Sequence, residues 1–195
     1  MYCYNVKSKE KNKIFDGSEE TRKMELSFDG KYVYADNRFW SIEAARSYQT
    51  YDRKCVEAAE ELAKKTDAPA AAIELDDGRI ITGKTSVTMG CVSATMLNAL
   101  KALANMDDIT LIDPEVIKPI ENLKTTHLGA KNPQLHINEI LIALAISAVT
   151  DENAKKALAQ LDKLNNCEMH CSVMLSAVDE KMLKELGIRL TCNNR

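Results

Sequence analysis

Short β-rich runs alternate with helical segments along residues 52–195, and this alternation limits the possible folds more than any other feature of the sequence. Strands that are separated by helices pair into a sheet, and the helices cover its faces. The pattern therefore predicts an α/β domain at 51–195, which we expect to be a three-layer sandwich with a mixed, mostly parallel sheet. Residues 1–50 differ in composition from the rest of the chain and are expected to form a small β-rich appendage.

The sheet is predicted to open with a β-hairpin. Asp76-Asp77-Gly78 separates β-rich runs at 69–75 and 79–82, and glycine supplies the positive φ that such a turn needs. An antiparallel hairpin ahead of parallel strands is the element order of the cytidine-deaminase-like topology, a comparison that says nothing about chemistry. The remaining predicted helices lie at 52–65, 86–104, 114–123, 136–149, 150–164 and 176–186, and the remaining predicted strands at 109–112, 169–175 and 188–192.

The appendage at 1–50 is predicted to be a β-hairpin followed by a linking helix. Asp29-Gly30 lies between alternating polar and apolar runs at 25–28 and 31–34, which is a strong hairpin signal. The other predictions for this region are a strand at 2–6, a loop at 7–13 and a helix at 42–50.

The composition favours a soluble, cytoplasmic protein with reduced thiols. A net charge of −3 and a pI near 5.7 argue against nucleic-acid binding, which needs clustered Lys and Arg. The first residues are polar and charged, so we expect no signal peptide, and no apolar run is long enough to predict a membrane span. In this setting the six cysteines are expected to be free thiols.

Six blocks of sequence carry a resemblance to a bacterial family. They lie at 68–78, 81–86, 93–101, 128–136, 140–148 and 186–192, and they read APAAAIELDDG, ITGKTS, SATMLNALK, LGAKNPQLH, ILIALAISA and LGIRLTC. Together they resemble the C-terminal region of the domain-of-unknown-function family 1846. The resemblance implies a longer protein with a nucleotide-binding-like N-terminal half. It implies no particular reaction, although some members carry an ATP-dependent peptidase label.

Two functional hypotheses remain. The first is a non-catalytic structural or oligomerising module, which would form a homo-oligomer or bind a partner protein that supplies a nucleotide-binding half. The second is a small-molecule or nucleotide-binding enzyme domain, with its site at strand and helix ends, where open α/β sheets bind ligands. We favour the first because no catalytic set of residues is complete in the sequence, and whether the chain is an enzyme stays open. No cofactor, nucleic acid or membrane is expected as a partner.

Gly78 and Gly83-Lys84-Thr85 match the spacing of a phosphate-binding loop, but a hairpin explains them better. In such a loop the backbone amides and the lysine bind phosphates. The loop must curl between a strand and a helix, whereas the β-branched residues at 80–82 favour an extended strand. We therefore predict the hairpin.

The candidate site residues lie at the ends of predicted strands and helices. His136 and His170 are candidates for acid–base catalysis near neutral pH. For His136, hydrogen bonding to nearby backbone is the interpretation we favour. The ligand-binding candidates are Lys84, Thr85 and Ser86, which could hold an anion at the start of the next helix, and Asn132.

No metal site is predicted. Cys167, His170 and Cys171 are close in sequence, but His170 and Cys171 would point to opposite faces of a strand. The paired Cys-x-x-Cys motif of zinc sites and the zinc-deaminase signature are absent. Cys91 lies near a helix N-terminus, where the dipole can lower the pKa of a thiol. No histidine neighbours it in sequence, so we favour an apolar packing role over a nucleophilic one.

Overall fold

The computed structural model of the chain describes residues 53–193 and, within residues 1–52, six short strands. It divides into two compact units, Met1–Arg53 and Lys54–Arg195, which are described separately. In the first unit, two short strands pair antiparallel, and four further strands form an antiparallel sheet in sequence order. The strands are β1 (Tyr2–Tyr4), β2 (Lys11–Lys13), β3 (Met24–Leu26), β4 (Tyr32–Ala35), β5 (Arg38–Ser41) and β6 (Ser47–Gln49).

The antiparallel pairing of β3 with β4 confirms the hairpin predicted around residues 29–30, although the turn itself lies outside the described residues. Two other predictions for this unit are wrong where the structure describes them. Part of the predicted loop at 7–13 is β2, and the end of the predicted helix at 42–50 is β6. The backbone of β6 pairs with β5, so its N–H and C=O groups are satisfied between strands rather than within a helix.

The second unit is an α/β fold built on a four-stranded mixed sheet, whose strand order is β10-β9-β7-β8. Its strands are β7 (Ala70–Glu74), β8 (Ile80–Lys84), β9 (Glu168–Cys171) and β10 (Arg189–Cys192). Its helices are α1 (Lys54–Thr66), α2 (Cys91–Leu103), α3 (Pro114–Thr126), α4 (Ile137–Ser147), α5 (Glu152–Leu158) and α6 (Ala177–Glu185), with a 3-10 turn at Leu161–Leu164.

The sheet of the second unit is mixed rather than mostly parallel, which corrects the sequence-based expectation. Both β8 and β9 run antiparallel to β7, and β9 pairs in parallel with β10. The connections explain this. A tight hairpin between β7 and β8 forces antiparallel pairing, whereas α6 allows β9 and β10 to form a parallel βαβ unit. The cytidine-deaminase-like topology is not confirmed.

The strand predicted at 109–112 does not form. Leu111 and Ile112 are buried, but they lie in the connection between α2 and α3 rather than in the sheet. A short apolar run can be buried in either way, so periodicity could not decide between them. Without this strand, several consecutive helices separate β8 from β9.

Helices cover both faces of the sheet. Every residue of β7 from Ala70 to Ile73 is fully buried, as expected for a central strand with helices on both sides. On one face, Ala72 packs with Cys55 and Ala59 of α1. On the other face, the side chains of β7 and β9 join the main core with α2, α4 and α5.

The hairpin of β7 and β8 is confirmed, and it excludes the phosphate-loop interpretation of 78–85. Gly78 has a φ of +81° and its N–H donates to the carbonyl oxygen of Leu75 at 2.8 Å, which closes the turn. Gly83 lies within β8, paired with Ala71, rather than in a curled loop. The segment between the two glycines is therefore extended and paired along its length.

Gly83 is required for a different reason, which is the close approach of α2 to β8. A Cβ atom at this position would collide with the backbone nitrogen of Thr95 and would lie 2.8 Å from the carbonyl carbon of Ala94. We predict that Gly83→Ala lowers the free energy of unfolding by about 3 kcal/mol, because a helix backbone cannot yield to it locally. Urea denaturation would measure the change.

Gly90→Ser is the matched control for this prediction. A Cβ at Gly90 meets nothing within 4 Å, and serine is as good an N-cap residue as glycine. It should change the unfolding free energy by only a few tenths of a kcal/mol. Equal effects of the two substitutions would show that the contact between Gly83 and α2 is not tight.

Candidate site at three helix N-termini

The N-termini of three helices meet at one cleft of about 450 Å³. The N-cap residues of α2, α4 and α6 are Gly90, His136 and Ser176, and all three line it. The first N–H groups of a helix have no acceptor within the helix, and the helix dipole adds a partial positive charge there. The starts of these helices therefore bring partial positive charge to the cleft, and the first turns of α4 and α6 also carry the acidic residues Glu139 and Asp179.

The sheet fixes where this cleft forms. β8 and β9 end on the same edge of the sheet because both run antiparallel to β7. Thr85, which follows β8, and residues 173–176, which follow β9, line the cleft. Ligands of open α/β sheets bind outside the carboxyl ends of strands, and the cleft has that position.

His136 and Asp179 form the central polar contact of the site. The Nδ1 atom of His136 lies 2.8 Å from Oδ2 of Asp179, whose side chain is nearly buried. A carboxylate only accepts hydrogen bonds, so Nδ1 carries a proton and donates it to Asp179. The imidazole is about one third exposed, which leaves Nε2 as the ring nitrogen that can exchange a proton with a bound molecule.

Asp179 also joins the N-termini of α4 and α6. Its Oδ1 accepts the backbone N–H of Ile137 at 3.0 Å, and its Oδ2 accepts the hydroxyl of Ser176 at 2.9 Å. Ser176 in turn caps α6, since its Oγ accepts the backbone N–H of Asp179 at 3.1 Å. The buried carboxylate is thus satisfied by donors from two helices and from the imidazole of His136.

A partly buried ion pair also contacts the backbone of His136. Nζ of Lys124 lies 2.6 Å from Oε2 of Glu139 and also donates to the carbonyl oxygen of Gln134 at 2.6 Å. Glu139 accepts the backbone N–H of His136 at 2.7 Å, so it completes the first turn of α4. Lys131, which is exposed on the cleft wall, adds a positive charge.

The thiol of Cys91, which contacts a second thiol behind it, forms part of the cleft wall. Cys91 is the first residue of α2 and lines the cleft, and its Sγ lies 3.4 Å from Sγ of Cys171 at the end of β9. The S–H of Cys171 holds the pKa of Cys91 below its usual value against the opposing effect of burial, and the hydroxyl of Thr85 acts in the same direction. Conversely, the contact with Cys91 and burial raise the pKa of Cys171.

Of the candidates named from the sequence, His136, Thr85 and Asn132 line the same cleft. Asn132 donates to Oε1 of Gln134 at 3.0 Å. Lys84 and Ser86 are both exposed, and the structure does not include them in the lining of the cleft. The helix after β8 begins at residue 91 rather than 86, so the 84–86 turn is separated from its N-terminus.

His170 lies away from the cleft, on the opposite face of the sheet from Cys171. It is buried, its Nδ1 is 2.9 Å from the hydroxyl of Thr191, and its Nε2 is 3.6 Å from a carboxylate oxygen of Glu60 in α1. Its register partner in β7 is Ala72, which faces α1. Among residues 53–193, no group of three or more His, Cys, Asp and Glu side chains is placed to hold a metal ion.

Sequence reasoning missed Asp179 and Lys124 as members of the site. Ser176 and Asp179 have the spacing of a helix capping pair, which indicates the start of a helix rather than a site. Lys124 lies in a polar helix and gives no signal that it is buried. Only the folded chain brings these residues to His136, which is 43 positions before Asp179.

The second unit is an α/β domain with a cleft of about 450 Å³ at the ends of its strands. The family model described as "Domain of unknown function DUF1846, C-terminal" matches residues 51–195, and the chain belongs to this family. The resemblance inferred from the sequence is therefore confirmed.

Several bacterial relatives are similar over the same region. A UPF0371 protein of Corynebacterium efficiens is 52% identical over 141 residues, which are 72% of this chain and 28% of the relative. A UPF0371 protein of Corynebacterium diphtheriae is 47% identical over 163 residues, which are 83% of this chain and 33% of the relative. One from Streptococcus pyogenes is 48% identical over 141 residues. The chain thus spans about a third or less of the length of these relatives.

The part of the chain that the structure describes contains no helix long and apolar enough to span a membrane.

The role of Asp179 as a shared acceptor can be tested by stability. We predict that Asp179→Ala lowers the free energy of unfolding by about 3 kcal/mol, because it leaves the donors of Ile137, Ser176 and His136 without their acceptor. Chemical denaturation would measure the change. Glu180→Ala, at the next position of α6, should cost less than about 1 kcal/mol. A loss of stability in Asp179→Ala no larger than in Glu180→Ala would contradict the role of Asp179 as a shared acceptor.

Proposed function

We propose that the second unit binds a small anionic molecule in this cleft and that His136 exchanges a proton with it. The convergence of three helix N-termini on one cleft is the observation that carries the proposal. This is the second of the two hypotheses drawn from the sequence, which combined the 84–86 turn with His136, and the anion is now proposed to bind in the cleft beside His136.

The electrostatics of the cleft favour a carboxylate or phosphate group. Each helix N-terminus carries a partial positive charge of about half a unit and stabilises a nearby anion by roughly 0.3–1 kcal/mol. Lys131 adds a full charge at the rim, whereas the two carboxylates near the cleft, Asp179 and Glu139, are already paired with His136 and Lys124. An anionic group would therefore meet the start of α2, whose first turn has no acidic residue and no side-chain cap.

His136 has the arrangement that acid–base catalysis requires. Asp179 orients the ring and fixes the tautomer, and it stabilises the imidazolium that forms when Nε2 takes up a proton. Asp179 is a positioning residue here, because its oxygens are occupied by donors of the protein.

We also propose a cytoplasmic location, since a thiol pair 3.4 Å apart would be prone to oxidation in a secretory compartment.

Anion binding can be tested with inorganic phosphate, AMP and Mg-ATP as probes. We expect at least one of them to shift the imidazole resonances of His136 in a saturable way and to leave those of buried His170 unchanged. A probe at 100 times its dissociation constant should stabilise the fold by about 2.7 kcal/mol in thermal melts. The absence of a saturable shift with every probe at concentrations up to about 10 mM would refute the proposal. Enzymes ordinarily bind their substrates at lower concentrations than this, between about 1 μM and 1 mM.

Two lysine variants locate the site in this experiment. Lys131→Ala should weaken binding, because Lys131 lines the cleft, and Lys84→Ala should not, because Lys84 is exposed outside it. Loss of binding in Lys84→Ala alone would assign the anion to the 84–86 turn instead of the cleft.

A second candidate function, a protein-docking module, is favoured by one surface of α4. Ile142, Ala145, Ile146 and Val149 are exposed at helical spacing and form an apolar stripe on this helix and its C-terminal end. Water-exposed stripes of this kind are typical of interfaces. We propose that the part of the family's longer proteins that this chain does not contain covers the stripe, since the relatives are about three times longer than the matched region.

Co-expression can test this docking surface. The chain would be produced together with the N-terminal two thirds of the Corynebacterium efficiens relative. We expect the two to co-purify in equal amounts and expect Ile146→Glu to abolish the complex, since a buried unpaired charge is strongly unfavourable. Val87→Glu, at an exposed apolar residue outside α4, is the control and should leave the complex intact.

Two results would overturn the docking proposal. Self-association of the chain alone that Ile146→Glu removes would identify a second copy as the occupant of the stripe. A chain that stays monomeric and does not bind the partner segment would show that the stripe is not an interface.

A further inference from the structure

Cys91 lines the cleft, has no role in the proposed anion binding, and lies 3.4 Å from a second thiol, that of Cys171. Cys91 and Cys171 are brought together from α2 and β9, which are 80 residues apart in sequence. Both are nearly or fully buried, but Cys91 reaches the cleft surface. Packing alone would not require the sulfur atoms of Cys91 and Cys171 to lie 3.4 Å apart, or Cys91 to line the cleft.

The surroundings of Cys91 stabilise its thiolate. The contact with the sulfur of Cys171 lowers the pKa of Cys91 most, burial opposes it, and the hydroxyl of Thr85 and the backbone N–H of Val92 lower it further. The start of α2 contributes the positive end of a helix dipole, which is a recurring position for reactive cysteines. Cys167 provides a contrast within the same chain, because burial and the nearby Asp76 raise its pKa to about 11.

The backbone brings Cys91 and His136 to adjacent segments of the cleft. Met89 forms a parallel bridge with Leu135, and the N–H of Leu135 donates to the carbonyl oxygen of Thr88 at 2.9 Å. The hydroxyl of Ser93 donates to the carbonyl oxygen of Leu135 at 3.1 Å. The start of α2 and the start of α4 are therefore held side by side, with a thiol at one and an imidazole at the other.

We propose that Cys91 is a nucleophile that accepts an acyl group from a small anionic acyl donor, such as an acyl phosphate, bound in the cleft. The inference rests on the proposed function, because it uses the same anion-binding cleft and His136 as the proton carrier. Cys171 is a positioning residue that holds the thiolate of Cys91 through its S–H.

The reaction is balanced with water as the only co-reactant. The Cys91 thiolate forms a bond to the carbonyl carbon, and the bond from that carbon to the leaving oxygen breaks with its electron pair. Nε2–H of the His136 imidazolium protonates the leaving group. Water then attacks the thioester carbon and gives a proton to Nε2, and the thiolate of Cys91 leaves. The net change is hydrolysis of the acyl donor to a carboxylic acid and the protonated leaving group.

The first experiment measures thiol reactivity with iodoacetamide in the wild-type protein, and peptide mass spectrometry assigns the label. Cys91 and Cys167 are equally buried, so Cys167 is an internal control. We expect Cys91 to react at least about tenfold faster at pH 7, because only the thiolate reacts and the pKa of Cys167 is raised. Cys91 labelled no faster than Cys167 would overturn the proposal.

Variants of Cys171 separate positioning from packing. Cys171→Ala removes the donor, so the midpoint of the pH profile for Cys91 alkylation should move to higher pH. Cys171→Ser keeps a hydrogen-bond donor and should restore most of the low-pH reactivity. An identical pH profile in wild type and both variants would refute the role of Cys171.

The second experiment uses acetyl phosphate as the acyl donor. We expect a single acetyl group on Cys91 by mass spectrometry. We expect it to accumulate in His136→Gln, because phosphate is a good leaving group that departs without the acid, whereas hydrolysis of the thioester by water needs the base. Acetylation of lysines with none on Cys91 would overturn the proposal. If phosphate still binds the cleft in that case, the nucleophile fails while the anion-binding function stands. If phosphate does not bind either, both fail.

Discussion

The candidate site depends on a single buried carboxylate, that of Asp179. A buried charge is tolerated only where hydrogen-bond donors surround it, and here the donors come from the imidazole of His136, the backbone N–H of Ile137 and the hydroxyl of Ser176. These donors belong to the N-termini of α4 and α6. Satisfying the carboxylate therefore fixes the two helix starts relative to each other and sets the tautomer of His136.

The sheet places this carboxylate at a useful edge. Because β8 and β9 both run antiparallel to β7, their carboxyl ends reach the same side, and the loops after them lead into α2 and α6. The close packing of α2 on β8, which Gly83 permits, holds the start of α2 over that edge. The starts of three helices therefore meet at one cleft, and their dipoles contribute partial positive charge there. Cys91 is exposed to that charge, and His136 shares the same wall.

Much of the local structure could be predicted from the sequence. Asp-Asp-Gly at 76–78 gave the hairpin, and Pro114 and Gly187 lie at the start and just after the end of helices, as their backbone preferences require. The predictions that are wrong depend on contacts between segments that are distant in the sequence. The run at 109–112 is apolar enough for a strand, but neighbouring strands decide whether such a run joins a sheet. The 84–86 turn resembled a helix start, but α2 begins five residues later, at Cys91.

By itself, the sequence determined the kind of protein. It predicted an α/β domain with a β7–β8 hairpin, helices with apolar residues at helical spacing, and the bacterial family to which the chain belongs. These properties follow from local preferences and from side-chain patterns that are short in range. Only the tertiary structure decided the relative directions of the strands in the sheet and which residues belong to the site. Asp179, Lys124 and Cys171 are functional candidates because distant segments bring them within hydrogen-bonding reach of His136, Glu139 and Cys91. Such contacts depend on how helices pack on the sheet, and no single stretch of sequence contains that information.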